Sequence, residues 1–389
     1  MPDIMPKYEN LLFVSNQPLI PQLERSLFLN EFREAGFRVD YLCTRELCRV
    51  TYRMKGELSD RFVDVKDFRT FRRYLKELPP SNTFVFLEVD VVSFRSRRAF
   101  RMLKDYDLGK IDLYKSVFLD FSAIRAPGNR FKRILQALLH PKKLEKILVT
   151  HASQPHYKYC FSPGAIRGGF PSDKYIPINY FSAPSAATAE CPPLPEHYGV
   201  YVDQGFGLHP DWFRDGFGAA DVDAMYRRIN DLFRTLEEQR NCEILIAGHP
   251  KTAGQDKFFP GRKIYFNLLE PLIRRADFVI GHDSVGLNYA IMYHKPLLLC
   301  RDDALAAVKG LSSHYRTGKL AEILNIPVME LNRMPAEPTP AMDEKGYDDY
   351  LRNYVVGDPK HSSFYIIANT LNPEKAAKYE SDPAPGVLE

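Results

Sequence analysis

Two short apolar runs, ILIAG and FVIGH, dominate the stretch from Cys242 to Leu299, and each breaks off at small or polar residues. His249, Pro250 and Lys251 follow the first run, while His282, Asp283 and Ser284 follow the second and lead straight into an amphipathic helical pattern. Strands that alternate with helices in this way pair in parallel through crossover connections, so the stretch predicts an open α/β sheet. Ligands of such sheets bind at the carboxyl ends of the strands, where loop amides and helix N-termini favour an anion. The residues that follow ILIAG and FVIGH are therefore the first candidates for a site.

The same alternation runs through the rest of the chain. YENLLFVSN reads as a buried strand, and PQLERSLFLNEFREAGFRVDYLC as a helix, a stop at Gly36 and a second strand, with Leu23, Leu27, Phe28 and Phe32 on one helical face. This β-α-β opening carries no GxGxxG, so a dinucleotide fingerprint is absent. NTFVFLEVDVV and KSVFLDFS supply two more strands around the basic segment FRSRRAFRMLKDYDLGK. The basic amphipathic stretch from Phe131 to Lys143 suits either a solvated helix packed on its own sheet or contact with an anionic membrane surface. Residues 160–197 are rich in Pro, Gly, Ser and Ala and read as a connection, with a boundary near 183–197. A strand from Tyr198 to Val202 then ends in Asp203 and Gln204, and the next helix carries Val222, Met225, Ile229, Leu232, Phe233 and Leu236 on one stripe. The expected fold is α/β with two Rossmann-like domains, residues 1–185 and 186–335. A helical segment, 336–372, packs back toward the first domain, and a frayed tail covers 373–389.

Composition bounds the function. At 389 residues, 45% hydrophobic and 26% charged, the chain can fill two cores. It has no uncharged apolar run of about 18 residues. Its N-terminus, MPDIMPKYEN, lacks the basic-then-apolar pattern of a secretion signal, so a cytoplasmic location is expected. Cys43, Cys48, Cys160, Cys191, Cys242 and Cys300 show neither CxxC nor Cys/His spacing and read as free core thiols. A net charge of +4 is too small to imply nucleic acid. Asp221 and Asp223 stand at a predicted helix start and read as a cap rather than a metal-binding pair, so no metal is expected.

Two α/β halves, a His-Pro pair after a strand of the second half and a Ser at the following strand-to-helix turn resemble a GT-B glycosyltransferase, whose two Rossmann-like domains face a cleft. More narrowly, IAGHPKT with LLEPLIRRADFVIGHDSVGLNYAIMYHKPLLL is similar to bacterial surface-polysaccharide transferases that use CMP-activated sugars. These are sialyltransferases and the β-Kdo transferases of capsule and lipopolysaccharide assembly. VYVDQGFGLHPDWF also looks like that group. The resemblance covers about residues 198–300 and reaches the first domain only through its order of elements. It implies an acceptor-binding first domain and a donor-binding second one. His249 matches a histidine near the cytidylate phosphate, where it steadies the departing nucleotide, and Pro250 fixes the turn that presents it. Ser284, with the backbone amides of Ser284 and Val285, matches the phosphate-holding serine. Glu270 matches a carboxylate that accepts hydrogen bonds from ribose hydroxyls, and Lys251, Gln204 and His282 complete the implied donor set. The chain lacks the paired acidic motif of the sialyltransferase first domain, which leaves Kdo or another nonulosonic sugar as the implied cargo.

Sugar transfer passes through an oxocarbenium-like state, so a leaving phosphate must be stabilised and an acceptor hydroxyl activated, or the sugar trapped on a carboxylate. A CMP-sugar releases a monophosphate, and His249, Lys251 and a helix N-terminus can then replace a metal ion. Asp203 is the candidate catalytic carboxylate, acting as a nucleophile if the reaction retains configuration. If it inverts, a base from the first domain serves equally, with Glu88, Asp90 and Asp120 as candidates. His209 reads as a loop residue that positions the Asp203 segment. The expected partners are a CMP-activated donor and a glycan or lipid-linked oligosaccharide acceptor, with no nucleic acid. The first domain is expected to engage the acceptor, its aromatic and basic loop residues Tyr52, Arg53, Phe94, Arg95, Arg97 and Arg98 meeting a lipid-linked oligosaccharide at the membrane face, with peripheral contact at the inner face of the cytoplasmic membrane. Two other readings remain open: a CDP-glycerol-type transferase, and a non-catalytic carbohydrate-binding protein on a GT-B frame.

Overall fold

The computed structural model describes residues 7–48, 62–88, 94–112, 155–166, 170–180, 192–209, 212, 221–252, 257–308 and 311–381. The chain forms two compact units, one made of Met1–Lys115, Ala123–Ala183 and Tyr354–Glu389, the other of Ser116–Ser122 and Pro184–Asn353. The C-terminal segment expected as one piece is thus divided at Asn353, and from Tyr354 onward the chain belongs with the first unit.

In the first unit, strands β1 (Asn10–Ser15), β2 (Arg38–Cys43), β3 (Phe62–Asp64), β4 (Thr83–Glu88), β5 (Asp107–Ile111), β6 (Tyr157–Pro163) and β7 (Ser172–Ile178) form a parallel sheet in the order β3-β2-β1-β4-β5-β6-β7. Its central strands are buried on both faces. Leu11, Phe13, Phe84 and Phe86 join one apolar cluster, while Leu12, Val14, Val85 and Leu87 join another. The helix Ser363–Leu371 closes the first cluster with Phe364, Ile367, Ala368 and Leu371. The packing of a C-terminal helix on the first domain is therefore observed.

In the second unit, β8 (Tyr198–Val202), β9 (Glu243–Gly248), β10 (Ile264–Phe266), β11 (Phe278–Gly281), β12 (Leu297–Arg301) and β13 (Val328–Glu330) form a second parallel sheet, ordered β10-β9-β8-β11-β12-β13. The helix Val222–Arg240 lays Met225, Ile229, Leu232, Phe233 and Leu236 against it, and Asp221 caps that helix by accepting from Ala224 N–H at 2.8 Å.

Part of the expected connection is sheet instead: residues within 160–197 complete β6 and form all of β7. Proline disguised them. Pro163 ends β6 and Pro177 lies in β7, the last strand in the sheet order, where a missing N–H is tolerated. Beyond Pro373, where fraying was expected, helical turns continue through Tyr379. The strand KSVFLDFS and the basic stretch Phe131–Lys143 lie outside the described residues. Cys43, Cys48, Cys160, Cys242 and Cys300 are free thiols.

A single side chain ties the C-terminal segment to β7. Asn179 Nδ2 donates to the carbonyls of Asp358 (2.8 Å) and His361 (2.9 Å), and its Oδ1 accepts from Gly357 and Asp358 N–H, both at 3.0 Å. Both donors and both acceptor sites are filled. Asn179→Ala should destabilise the chain by about 3 kcal/mol, since four backbone groups lose their partner. Urea denaturation checks this, and a loss below about 1 kcal/mol would show that water replaces the side chain at little cost.

Candidate functional site

The strand order of the second sheet fixes where a ligand would sit. The chain leaves β8 for β9 and β10 on one side, then crosses back to β11, β12 and β13 on the other. The turns after β8, β9 and β11 therefore meet at the switch point on the carboxyl edge, where a crevice opens in folds of this kind.

The turn after β8 is held from several directions. Asp203 N–H continues the ladder to Ala247 O at 3.0 Å, and Asp203 Oδ1 accepts from Gly205 N–H and from the Tyr226 hydroxyl, both at 3.1 Å. Tyr226 stands on the helix Val222–Arg240, so the carboxylate faces inward, and Asp203 is only 7% exposed. Burial raises its pKa to about 6, against the lowering effect of hydrogen bonds from Gly205, Tyr226 and Gln204. Gly205 has φ of 62°, and a Cβ there would lie 2.5 Å from Thr252 Cγ2. The turns after β8 and β9 thus touch at a point that excludes any side chain.

His249 follows β9 directly and is half-buried. Its carbonyl accepts from both Thr252 N–H and Thr252 Oγ1 at 2.9 Å, closing the 3₁₀ turn Pro250–Thr252. Proline suits the first position of that turn because its φ is already set and its missing N–H is not needed there. Pro250 is exposed, and the Lys251 side chain lies outside the described residues. The His249 ring meets the His209 ring edge to face, with centroids 4.5 Å apart.

His282 is 1% exposed and works as a strut. Nδ1 lies 2.8 Å from Cys300 O, which can only accept, so Nδ1 carries the proton and Nε2 accepts from the Tyr201 hydroxyl at 3.2 Å. Burial lowers its pKa and keeps the ring neutral. Both nitrogens are used inside the unit, so the expected role of His282 at the nucleotide reduces to supporting its neighbours. One neighbour is Phe206, whose ring packs 5.3 Å from the imidazole.

Ser284 and Val285 are half-buried and form the turn into the short helix Leu287–Met292. Gly286 N–H donates to Ser284 Oγ at 3.2 Å, and Leu287 N–H to Ser284 O at 3.0 Å. Asp283 anchors this turn from below, with Oδ1 accepting from the Ser313 hydroxyl and Oδ2 from Arg316 Nε at 2.6 Å. Glu270 is 7% exposed, and its Oε1 accepts from Arg274 (2.6 Å) and from the Tyr293 hydroxyl (2.7 Å). Its helix abuts the Ser284 turn, since a Cβ on Gly286 would lie 2.6 Å from Leu269 Cδ2.

Gln204, His249 and Ser284 are therefore brought to one edge, with Asp203 and His282 turned inward beneath them. His209 acquires a contact that its position in a loop did not announce, and Ser313 and Arg316, about thirty residues beyond Asp283, were missed. A signal existed for Arg316: a cation near a helix N-terminus opposes the helix dipole and needs a local reason. In the first unit, Glu88 is also a strut, with Oε1 accepting from Ile111 N–H (2.8 Å) and Oε2 from Lys110 (2.6 Å). Asp90, Asp120, Tyr52, Arg53 and the Phe94 side chain lie outside the described residues. Among the described residues, no three His, Cys, Asp or Glu side chains are grouped to hold a metal ion, and no helix is long and apolar enough to cross a membrane.

No protein-family model and no curated protein sequence matches the chain. Among solved structures, it is similar to the UDP-GlcNAc 2-epimerase of Methanocaldococcus jannaschii in complex with UDP-GlcNAc and UDP, at 14% identity over 93% of this chain and 99% of that one, with a TM-score of 0.48. It is also similar to the glycosyltransferase SnogD of Streptomyces nogalater, at 13% identity over 96% and 98% with a TM-score of 0.46. A third is the spinosyn forosaminyltransferase SpnP, at 15% identity over 96% and 94% with a TM-score of 0.42. Likenesses of this size carry neither a substrate nor a mechanism to this chain.

The raised pKa of Asp203 makes stability fall with pH. Between about pH 4, where the unfolded chain loses this proton, and about pH 6, where the folded chain does, the folded state binds more protons, and about 3 kcal/mol should be lost. Asp203→Asn keeps an acceptor oxygen for Gly205 and Tyr226 but does not titrate. Denaturation across pH 4 to 7 should show the parent's stability falling relative to the variant by that amount, and parallel curves would place the proton elsewhere.

Proposed function

We propose that the second unit binds a nucleotide-activated sugar at its switch point and that the chain is a glycosyltransferase using a CMP-activated nonulosonic sugar, with Kdo as the best match to the sequence resemblance. The observation that carries this reading is the charge arrangement at the carboxyl edge. Arg316 is committed to Asp283, Arg274 to Glu270, and Arg228 to Asp302 through two bonds of 2.8 Å. Each of these arginines is thus offset by a buried carboxylate, and among the described residues imidazole, hydroxyl and backbone N–H groups remain as donors to a ligand, the Lys251 side chain lying outside them. Such a set suits one departing phosphate better than a diphosphate, whose larger charge calls for uncommitted cations or a metal.

In the mechanism that follows, His249 stands at the leaving phosphate and stabilises its developing charge, while the Ser284 turn orients it. Asp203 acts through others. With Oδ1 taken by Gly205 and Tyr226, it fixes the β8 turn rather than attacking the anomeric carbon. The proposed acceptor is a glycan or lipid-linked oligosaccharide. The proposed site works without a metal, and exposed Arg95 and Arg98 are proposed to meet an anionic membrane. Unchanged liposome binding after neutralising Arg95, Arg97 and Arg98 would remove that last element.

Thermal melts with CMP, CDP, UDP and GDP on the parent and on His249→Ala test the donor reading. CMP should give the largest shift, and the variant should bind it at least about tenfold more weakly, as expected for a lost charge-assisted hydrogen bond. Preference for CDP or UDP would move the reading to a diphosphate-linked donor. No shift with any nucleotide would end it.

A further inference from the structure

We propose that Gln204 reads the nucleoside of the bound donor, its side-chain oxygen accepting a hydrogen bond from an N–H or O–H of the ligand. The proposal rests on the nucleotide-binding reading of the switch point. Gln204 Oε1 is buried and has no hydrogen-bond partner among the described residues. A carbonyl oxygen in this state has given up water and received nothing in return, and native structures rarely leave one so unless a water, ion or ligand completes it.

Its place in the fold says what would complete it. The β8–β9 ladder continues to Asp203, so strand alternation persists past the end of β8. Tyr201 joins the cluster beneath the helix Val222–Arg240, and Asp203 reaches Tyr226 on that helix. Residues 202 and 204 therefore fall on the opposite face. There Val202 Cγ1 lies 3.5 Å from the point a Cβ on Gly286 would occupy, directly beneath the Ser284 turn. The backbone on either side of Gln204 is fixed by the Asp203 hydrogen bonds, by the fit of Gly205 against Thr252 and by the Phe206–His282 contact. The backbone that carries the orphaned acceptor is thus fixed before a ligand arrives, which lowers the entropic cost of using it.

An unpaired acceptor selects a donor. Within a cytidine nucleotide the donors are the exocyclic amine of the base and the ribose hydroxyls, whereas uracil presents a carbonyl where cytosine has its amine. A site built around one hydrogen bond rejects an analogue that leaves its buried group unpaired.

Gln204→Met removes the oxygen and nearly conserves length. Calorimetric titration of CMP, UMP and 2′-deoxy-CMP into the full chain, with melts of the unliganded proteins, is the test. The variant should melt at or above the parent's temperature, because an unsatisfied acceptor is gone, yet bind CMP about tenfold more weakly. If the parent's preference for CMP over UMP shrinks in the variant, the base amine is the donor. If its preference for CMP over 2′-deoxy-CMP shrinks, the ribose is. Unchanged CMP affinity, or a loss that leaves both preferences intact, overturns the assignment. A parent that binds no nucleotide removes the donor-site reading and this assignment together, and that result is read on the parent alone.

Discussion

In a parallel sheet every strand ends on the same edge, so where the chain reverses its direction of travel across the sheet, two neighbouring turns leave toward opposite faces. The rest of the second unit depends on this constraint. Its chain sets out from β8, fills one half of the sheet and returns to lay β11 against the other side of β8. Gln204, His249 and Ser284 are thereby gathered from three stretches of sequence without any long-range motif. The first sheet obeys the same rule about β1 and β4, and there Glu88, at the end of β4, is paired with Lys110 of β5.

Electrostatics then divides the polar residues of this edge into those that build it and those left to meet a ligand. Asp203, Asp283 and Asp302 are 7%, 4% and 0% exposed. A bare carboxylate cannot be buried so deeply without a partner. Asp283 and Asp302 receive arginines, whereas Asp203 receives only neutral donors, and burial raises its pKa. The same logic makes His282 a neutral support. Its two nitrogens bridge β11 to the end of β12 and to β8, so the imidazole sets the spacing of the turns it lies beneath.

Much of the fold was legible from pattern. The strands ILIAG, FVIGH and YGVYV and the helix Val222–Arg240 read directly, because continuous apolar runs and a 3.6-residue stripe report burial whatever the partner. β6 and β7 did not, since their prolines and the glycines between them look like a linker until the sheet edge that tolerates the prolines is known. Within the site, the positions of Gln204, His249 and Ser284 at strand ends were legible for the same reason. The directions in which Asp203 and His282 point were not. Both stand at strand ends, where outward and inward side chains share one sequence signature, and the choice was made by Tyr226, Tyr201 and the Cys300 carbonyl, all distant in the chain.

The sequence by itself determined that this chain builds two parallel α/β sheets and which residues end their strands, because strand period, helix stripe and breaker residues act locally. Only the tertiary structure decided which of those residues support the edge and which remain for a ligand. That division depends on partners about twenty to eighty residues away whose charge and hydrogen-bonding capacity satisfy one carboxylate or imidazole and leave the Gln204 oxygen unmatched. Desolvation makes the choice binding: once the edge is buried, each polar group there is either paired or costly, and no local pattern records which.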